Sequence, residues 1–264
     1  MKFLVIFLLA YFVNVNGQSR IAGGEVVQIN QYPFSTALLT NRGTGTAYVQ
    51  ACGGTILTTS SILTAASCFY TDGVADGVSW WRARVGSPFA NRQGTIYIVR
   101  RIEPHPEFSP TTLANDIAVI NTTLSITFQW GMVQPASIAG GAYQLETNQP
   151  IWAIGWGAAT DGGEGSEQLR HVQFWVVDQT TCANRYSAQG LTVTSNMVCT
   201  GWLDVGVRGQ CQGDNGSPLV INGVVVGVHS WSRECTDGEF PGVNTRVAPY
   251  TRWIVSVATE PLTA

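Results

Sequence analysis

The run Cys211-Gln212-Gly213-Asp214-Asn215-Gly216-Ser217-Pro218 sets an acid and an amide between glycines. Six residues of the shape GDNGSP commonly surround a serine nucleophile, yet the central position here is Asn215. An amide nitrogen has its lone pair delocalised into its carbonyl and is a poor nucleophile. Other stretches carry groups that could join it: LTAASCF with the hydroxyl of Ser67, NDIAVI with the carboxylate of Asp116, and His229-Ser230-Trp231. A serine hydroxyl has no accessible basic form near neutral pH, so Ser67 by itself is no general base.

Such groups need rigid elements to hold them, and strand patterns dominate the chain. Leu219–Val228 reads as two β-rich runs around Asn222-Gly223, a tight hairpin. Thr95–Ile102 and Pro150–Gly157 read as further strands. The only helix pattern lies near the end, where Tyr250, Trp253, Ile254 and Val257 share one helical face behind Pro249. With 264 residues, 45% apolar and 12% charged, and 29 glycines, the chain can form one large core or two smaller ones. The expected class is all-β, as paired barrels or a sandwich.

Lys2, the apolar run to Val13 and the small residue Gly17 predict a secretory signal peptide over residues 1–17. The run is too short for a transmembrane anchor. Secretion makes three disulfides the natural reading of six cysteines, with fifteen pairings open, and no cysteine spacing resembles a zinc site. The only lysine is Lys2; from Ile21 onward twelve arginines face seventeen acids, a net charge of −5. Arginine keeps its charge well above the pH, about 10.4, at which lysine loses it, so the pattern suits a strongly alkaline fluid. Composition drift, or avoidance of lysine as a cleavage target, would leave the same mark. The negative charge argues against a nucleic-acid partner.

The order of the landmarks is informative: IAGG at Ile21 behind Ser19-Arg20, CGGTILTTSSILTAASC from Cys52 to Cys68, NDIAVI from Asn115, CQGDNGSP from Cys211, and HSW at His229 ahead of FPGVNTRV. The chain resembles the trypsin/chymotrypsin family of serine proteases over essentially all of residues 21–264, and within it the digestive trypsins of moth and butterfly larvae. The resemblance implies two antiparallel six-stranded barrels with a C-terminal helix, a boundary near residues 125–135, and a site in the cleft between them. It implies the disulfides Cys52–Cys68, Cys182–Cys199 and Cys211–Cys235. It also implies a propeptide of residues 18–20 cut between Arg20 and Ile21, the freed Ile21 amine pairing with Asp214.

The family's catalytic triad falls on Ser67, Asp116 and Asn215, of which only Asp116 retains the family's residue. The oxyanion hole falls on the N–H groups of Gly213 and Asn215. The specificity pocket falls on Gly209, His229, Ser230, Trp231, Ser232 and Gly242; Gly209 stands where trypsins carry an aspartate, so the pocket is not expected to favour basic residues. Asn215-Gly216-Ser217 is a glycosylation sequon expected to be enclosed, and Asn121-Thr122-Thr123 is the better candidate.

These departures lead to the expectation of a secreted protease homolog that is not an enzyme. It would bind protease inhibitors, peptides or active proteases, in one version as a decoy, in an alkaline midgut lumen. The alternative is an active secreted serine endopeptidase with apolar, non-tryptic specificity and a rearranged site, in which His229 pairs with Ser217 or Ser67. On either reading the chain is a monomer that uses no metal, cofactor, membrane or nucleic acid.

Overall fold

The structure, a computed structural model, describes residues 24–260 other than 46 and 207. The expected signal peptide (residues 1–17) and propeptide (residues 18–20), with Arg20 and Ile21, lie outside the described residues. The first barrel is built from β1 (Ser35–Thr40), β2 (Val49–Ile56), β3 (Ser61–Thr64), β4 (Trp81–Val85), β5 (Thr95–Pro104) and β6 (Ala118–Thr122). It closes in the order β1-β2-β3-β6-β5-β4. The second holds β7 (Pro150–Gly155), β8 (Arg170–Val176), β9 (Met197–Gly201), β10 (Pro218–Ile221), β11 (Val224–Trp231) and β12 (Gly242–Arg246). Its ring runs β8-β7-β10-β11-β12-β9 and closes where Trp175 and Val176 pair with Gly201 and Thr200. Pairing within both rings is antiparallel, and closure removes the exposed edges that open sheets must protect.

Side-chain alternation explains why these runs are strands. In β4, Trp81, Ala83 and Val85 are buried, while Arg82 and Arg84 on the other face are only half-buried. In β5, buried Tyr97 and Val99 alternate with exposed Ile96 and Ile98. Trp81 meets Phe69 edge to face at 4.8 Å and donates its indole N–H to Asp76 (3.2 Å), so a large apolar ring is buried with its polar atom satisfied. The expected hairpin joins β10 to β11, with Asn222 and Gly223 both at positive φ as its two-residue turn requires.

The C-terminal helix α2 (Thr251–Ala258) buries Ile254 and Ala258, and the Ala258 carbonyl accepts from Ser61 of β3 (2.7 Å). The last element thus ties the chain end back to the first barrel. A second helix, α1 (Gln179–Ser187), corrects the expectation of a single one. Asp178 caps it by accepting from Thr181 N–H (2.8 Å). Only Cys182 and Tyr186 of α1 are buried, too few to make a periodic signal. All three implied disulfides are present. Among the described residues no helix is long and apolar enough to cross a membrane.

Candidate functional site

Asp116 precedes β6 by two residues and is fully buried. Its neighbour Asn115 is clamped, donating to the Glu107 carbonyl (2.9 Å) and accepting from Tyr250 O–H (2.6 Å) just ahead of α2. The Asp116 carbonyl accepts from Thr245 of β12 (2.8 Å), which ties the first barrel's acid to the second barrel. The carboxylate then collects donors. Oδ1 accepts from Ser67 N–H (2.7 Å), and Oδ2 accepts from Ser67 Oγ (2.8 Å) and Ser230 Oγ (2.5 Å). Burial pushes the Asp116 carboxyl up to about 6, against the opposing pull of the hydrogen bonds from Ser230 and Ser67.

Ser67 sits on the short turn Ala66–Phe69, pinned through Cys68 to Cys52 of β2. Its neighbours Ala66 and Cys68 are buried while Ser67 itself stays half-buried. Asn215 is half-buried too, and its Nδ2 donates to the Ser230 carbonyl (2.5 Å). Ser67, Asp116, Ser230 and Asn215 are therefore linked in one hydrogen-bonded chain. The loop beneath is rigid: Gly216 N–H donates to the His229 carbonyl (2.8 Å), His229 N–H to the Ser217 carbonyl (2.9 Å), and Gly53 N–H to the Asn215 carbonyl (2.8 Å). Gln50 of β2, which sequence reasoning did not single out, donates to the Gly213 carbonyl (2.7 Å). That bond spans 163 residues, so no local spacing announces it. Among the described residues the N–H groups of Gly213 and Asn215 donate to no acceptor.

Asp214 is fully buried, its two oxygens accepting from Gly157 N–H (2.8 Å) and Cys211 N–H (3.1 Å). Burial pushes its carboxyl up to about 7.

His229 is 2% exposed, its Nδ1 3.0 Å from Asn244 Oδ1, and burial pushes its imidazole down to about 4. Ser217 is fully buried and its Oγ has no hydrogen-bond partner among the described residues, while the Ser67 hydroxyl is given to Asp116. The pairing of His229 with either serine, which the alternative reading invoked, is not made, because the ring belongs to the barrel wall and its bond runs along the sheet to Asn244 of β12. Asn121 is 1% exposed within β6 and donates to Ser61 Oγ (3.0 Å), which corrects its place as the better glycosylation candidate.

The pocket residues gather around Cys211–Cys235. A Cβ at Gly209 would lie 1.2 Å from the Cys235 carbonyl oxygen, so no side chain fits there. Ser232 Oγ donates to the Gln210 carbonyl (3.3 Å), and Gly242 lies opposite it. The unexpected helix α1 braces this wall: Tyr186 packs edge-on against Trp231 (4.8 Å) and tilts against Phe240 (5.3 Å). A cleft of about 260 Å³ is lined by Trp231 and by residues 111–113 and 190–192. The one cluster of potential metal ligands among the described residues, Asp161 with Cys211 and Cys235, has both sulfurs locked in the disulfide.

A family model described as Trypsin matches residues 21–254. The chain belongs to the trypsin family. Trypsin, alkaline C of Manduca sexta is 53% identical over 235 residues, covering 89% of this chain and 90% of the relative. Trypsin CFT-1 of Choristoneura fumiferana is 51% identical, covering 90% of each. The crystal structure of the scabies mite inactivated protease paralogue S-D1 superposes with a TM-score of 0.79 at 28% identity, covering 90% of this chain and 97% of that one. Trypsin relatives this similar over nine-tenths of the chain overturn the expectation that the protein is not an enzyme. In this trypsin-family chain, positions 67 and 215 nonetheless carry serine and asparagine, so its chemistry has to be drawn from the groups that are present.

Proposed function

We propose that the protein is a secreted serine-protease-family endopeptidase that cleaves peptide chains beside an uncharged residue, with its proton transfer rearranged around Asp116. The observation that carries the reading is the Ser67 Oγ–Asp116 Oδ2 hydrogen bond at 2.8 Å, in a cleft that keeps both oxyanion donors. A serine side chain is smaller than an imidazole, and in this reading the hydrolytic water takes the difference in volume. That water attacks the scissile carbonyl, passing a proton to Ser67 Oγ while Ser67 passes its own to the Asp116 carboxylate. The oxyanion is received by the N–H groups of Gly213 and Asn215. When the C–N bond breaks, the leaving amine takes the proton back along the same path. Water attacks directly, so no acyl-enzyme forms.

A carboxylate near 6 is a weak base for water. The rate is therefore carried by oxyanion stabilisation and substrate binding, which alone supply about 10³–10⁴-fold over water in the related triad enzymes. Turnover is slow compared with an imidazole–serine pair.

The same reading includes removal of residues 1–17, cleavage after Arg20 and pairing of the Ile21 amine with Asp214. The buried Asp214 carboxyl, raised to about 7 and accepting from two N–H groups among the described residues, supports that pairing, because a nearby cation favours the ionised form of a buried acid. The protein acts as a monomer on peptides and protein inhibitors of the alkaline midgut lumen, a setting supported by its lysine-free mature sequence. The test is hydrolysis of a mixed peptide library by the Arg20-cleaved protein from pH 4 to 10. Slow cleavage without a burst, rising through pH 6 and lost in Asp116→Asn, is the expected result. Absence of any cleavage, or cleavage indifferent to Asp116→Asn, overturns it.

A further inference from the structure

Trp175 stands on the outer face of β8, between Phe174 and Val176, which are buried in the barrel. Its pairing with Gly201 of β9 brings the next residue, Trp202, beside it, and the two rings lie tilted at 5.7 Å. Both rings stay half-buried instead of joining the core. They line a cleft of about 470 Å³ together with Asn148, Asp178 and Thr181, a size that suits a small organic ligand. The cleft shares no residue with the linked Ser67, Asp116, Ser230 and Asn215.

Its polar groups are held in place without being used up. Asp178 Oδ1 accepts from both the N–H and the Oγ of Thr181 (2.8 Å each). A carboxylate offers about four acceptor sites, so others remain. The group is exposed and pairs with no cation among the described residues. Asn148 is fixed through its backbone, at a φ of 63° and with its N–H given to the Val176 carbonyl (2.8 Å). Among the described residues neither its side-chain amide nor either indole N–H makes a hydrogen bond.

We infer that this cleft binds a neutral saccharide, with the C–H face of a pyranose ring on Trp175 and Trp202 and its hydroxyls on Asp178 and Asn148. The charges around the cleft select the class. The Arg208 guanidinium already lies over the Trp202 ring at 4.7 Å, so a second cation there meets like charge. Asp178 repels an anion in the same way. A purely aliphatic ligand would cover the indole N–H groups and the carboxylate without pairing them. A pyranose ring carries no charge, presents an apolar face, and has hydroxyls that both donate and accept around its rim. It therefore matches two aromatic rings bordered by free donors and acceptors.

The site is independent of the proposed hydrolysis, so its test is binding alone. Cellotriose and maltotriose, two neutral glucose trisaccharides, are titrated into the protein by calorimetry, with an acetylated tetraalanine amide as an uncharged peptide probe. Saturable binding of at least one trisaccharide is expected. Trp202→Ala should weaken it by at least about ten-fold, as loss of a tryptophan anchor does. Asp178→Asn keeps an oxygen to cap α1, so the fold is retained, and should weaken binding about three-fold through a poorer acceptor. Failure of both trisaccharides to bind, or binding unchanged in both variants, overturns the proposal. Binding of the peptide probe that Trp202→Ala abolishes, with no binding of either trisaccharide, also overturns it and assigns the cleft to peptides.

Discussion

Ser67 gives its hydroxyl to Asp116 at 2.8 Å, and its backbone N–H reaches the other carboxylate oxygen at 2.7 Å. One residue thus supplies two of the donors that let a fully buried carboxylate ionise at all. Ser67→Ala removes one of them, and hydrogen bonds to charged groups contribute about 1.5–3 kcal/mol. The variant is expected to lose about that much stability at pH 8 and almost none at pH 4, where the carboxyl is neutral. Urea unfolding at the two pH values checks this, and equal losses at both would sink it.

The pH dependence of Asp116 follows from the direction of its shift. Its folded value, about 6, lies above the ordinary carboxyl value near 3.9, so the fold favours the protonated form. Its contribution to stability is greatest below pH 4, falls by about 3 kcal/mol as pH rises to about 6, and is flat beyond. Asp116→Asn should remove this descending limb from a plot of stability against pH.

Asp214 imposes a similar cost between pH 4 and about 7 in the uncleaved chain. Once Arg20–Ile21 is cut, the Ile21 amine should offset it. An amine whose folded value is raised by its partner contributes fully below its unfolded value, near 8, and loses that contribution as pH rises through the folded value. Cleaved protein should therefore melt higher than uncleaved protein at pH 7, and the gap should close at strongly alkaline pH. A gap that does not change with pH would separate cleavage from Asp214.

Gly209→Asp does not turn the pocket into one for arginine. With a Cβ at 1.2 Å from the Cys235 carbonyl oxygen, the substitution forces the two segments apart. The expected outcome is a lower melting temperature and no gain in binding of benzamidine, a small amidinium probe. Benzamidine binding with stability unchanged would contradict the close approach.

His229→Ala should leave any measured hydrolysis and its pH profile unchanged, because the imidazole faces Asn244 and neither serine. It should still cost about 1–3 kcal/mol of stability by leaving the buried Asn244 oxygen unpaired. Restoring Ser67→His together with Asn215→Ser should raise turnover by at least about 10⁴-fold, since loss of a single member of such a unit costs about as much as loss of all. A revertant no faster than the parent would show that the scaffold, and not the two side chains, limits the rate.

Much of this protein is settled by local sequence. Alternation in β4 and β5, the Asn222-Gly223 turn and the apolar face of α2 each declare their element, because side-chain direction repeats every two or 3.6 residues and needs no distant partner. The identities at 67, 116 and 215 were equally plain, as was the absence of an acid at 209. Helix α1 was not legible, since it buries only two residues and depends on Trp231 and Phe240 to pack against. Nor were the raised carboxyls of Asp116 and Asp214, the turning of His229 toward Asn244, or the reach of Gln50 to Gly213. Each of these depends on how deeply a group is buried and which remote group faces it. Burial and partnership are set only when the barrels close and meet, bringing together residues as near in sequence as His229 and Asn244, 15 apart, and as far as Gln50 and Gly213, 163 apart.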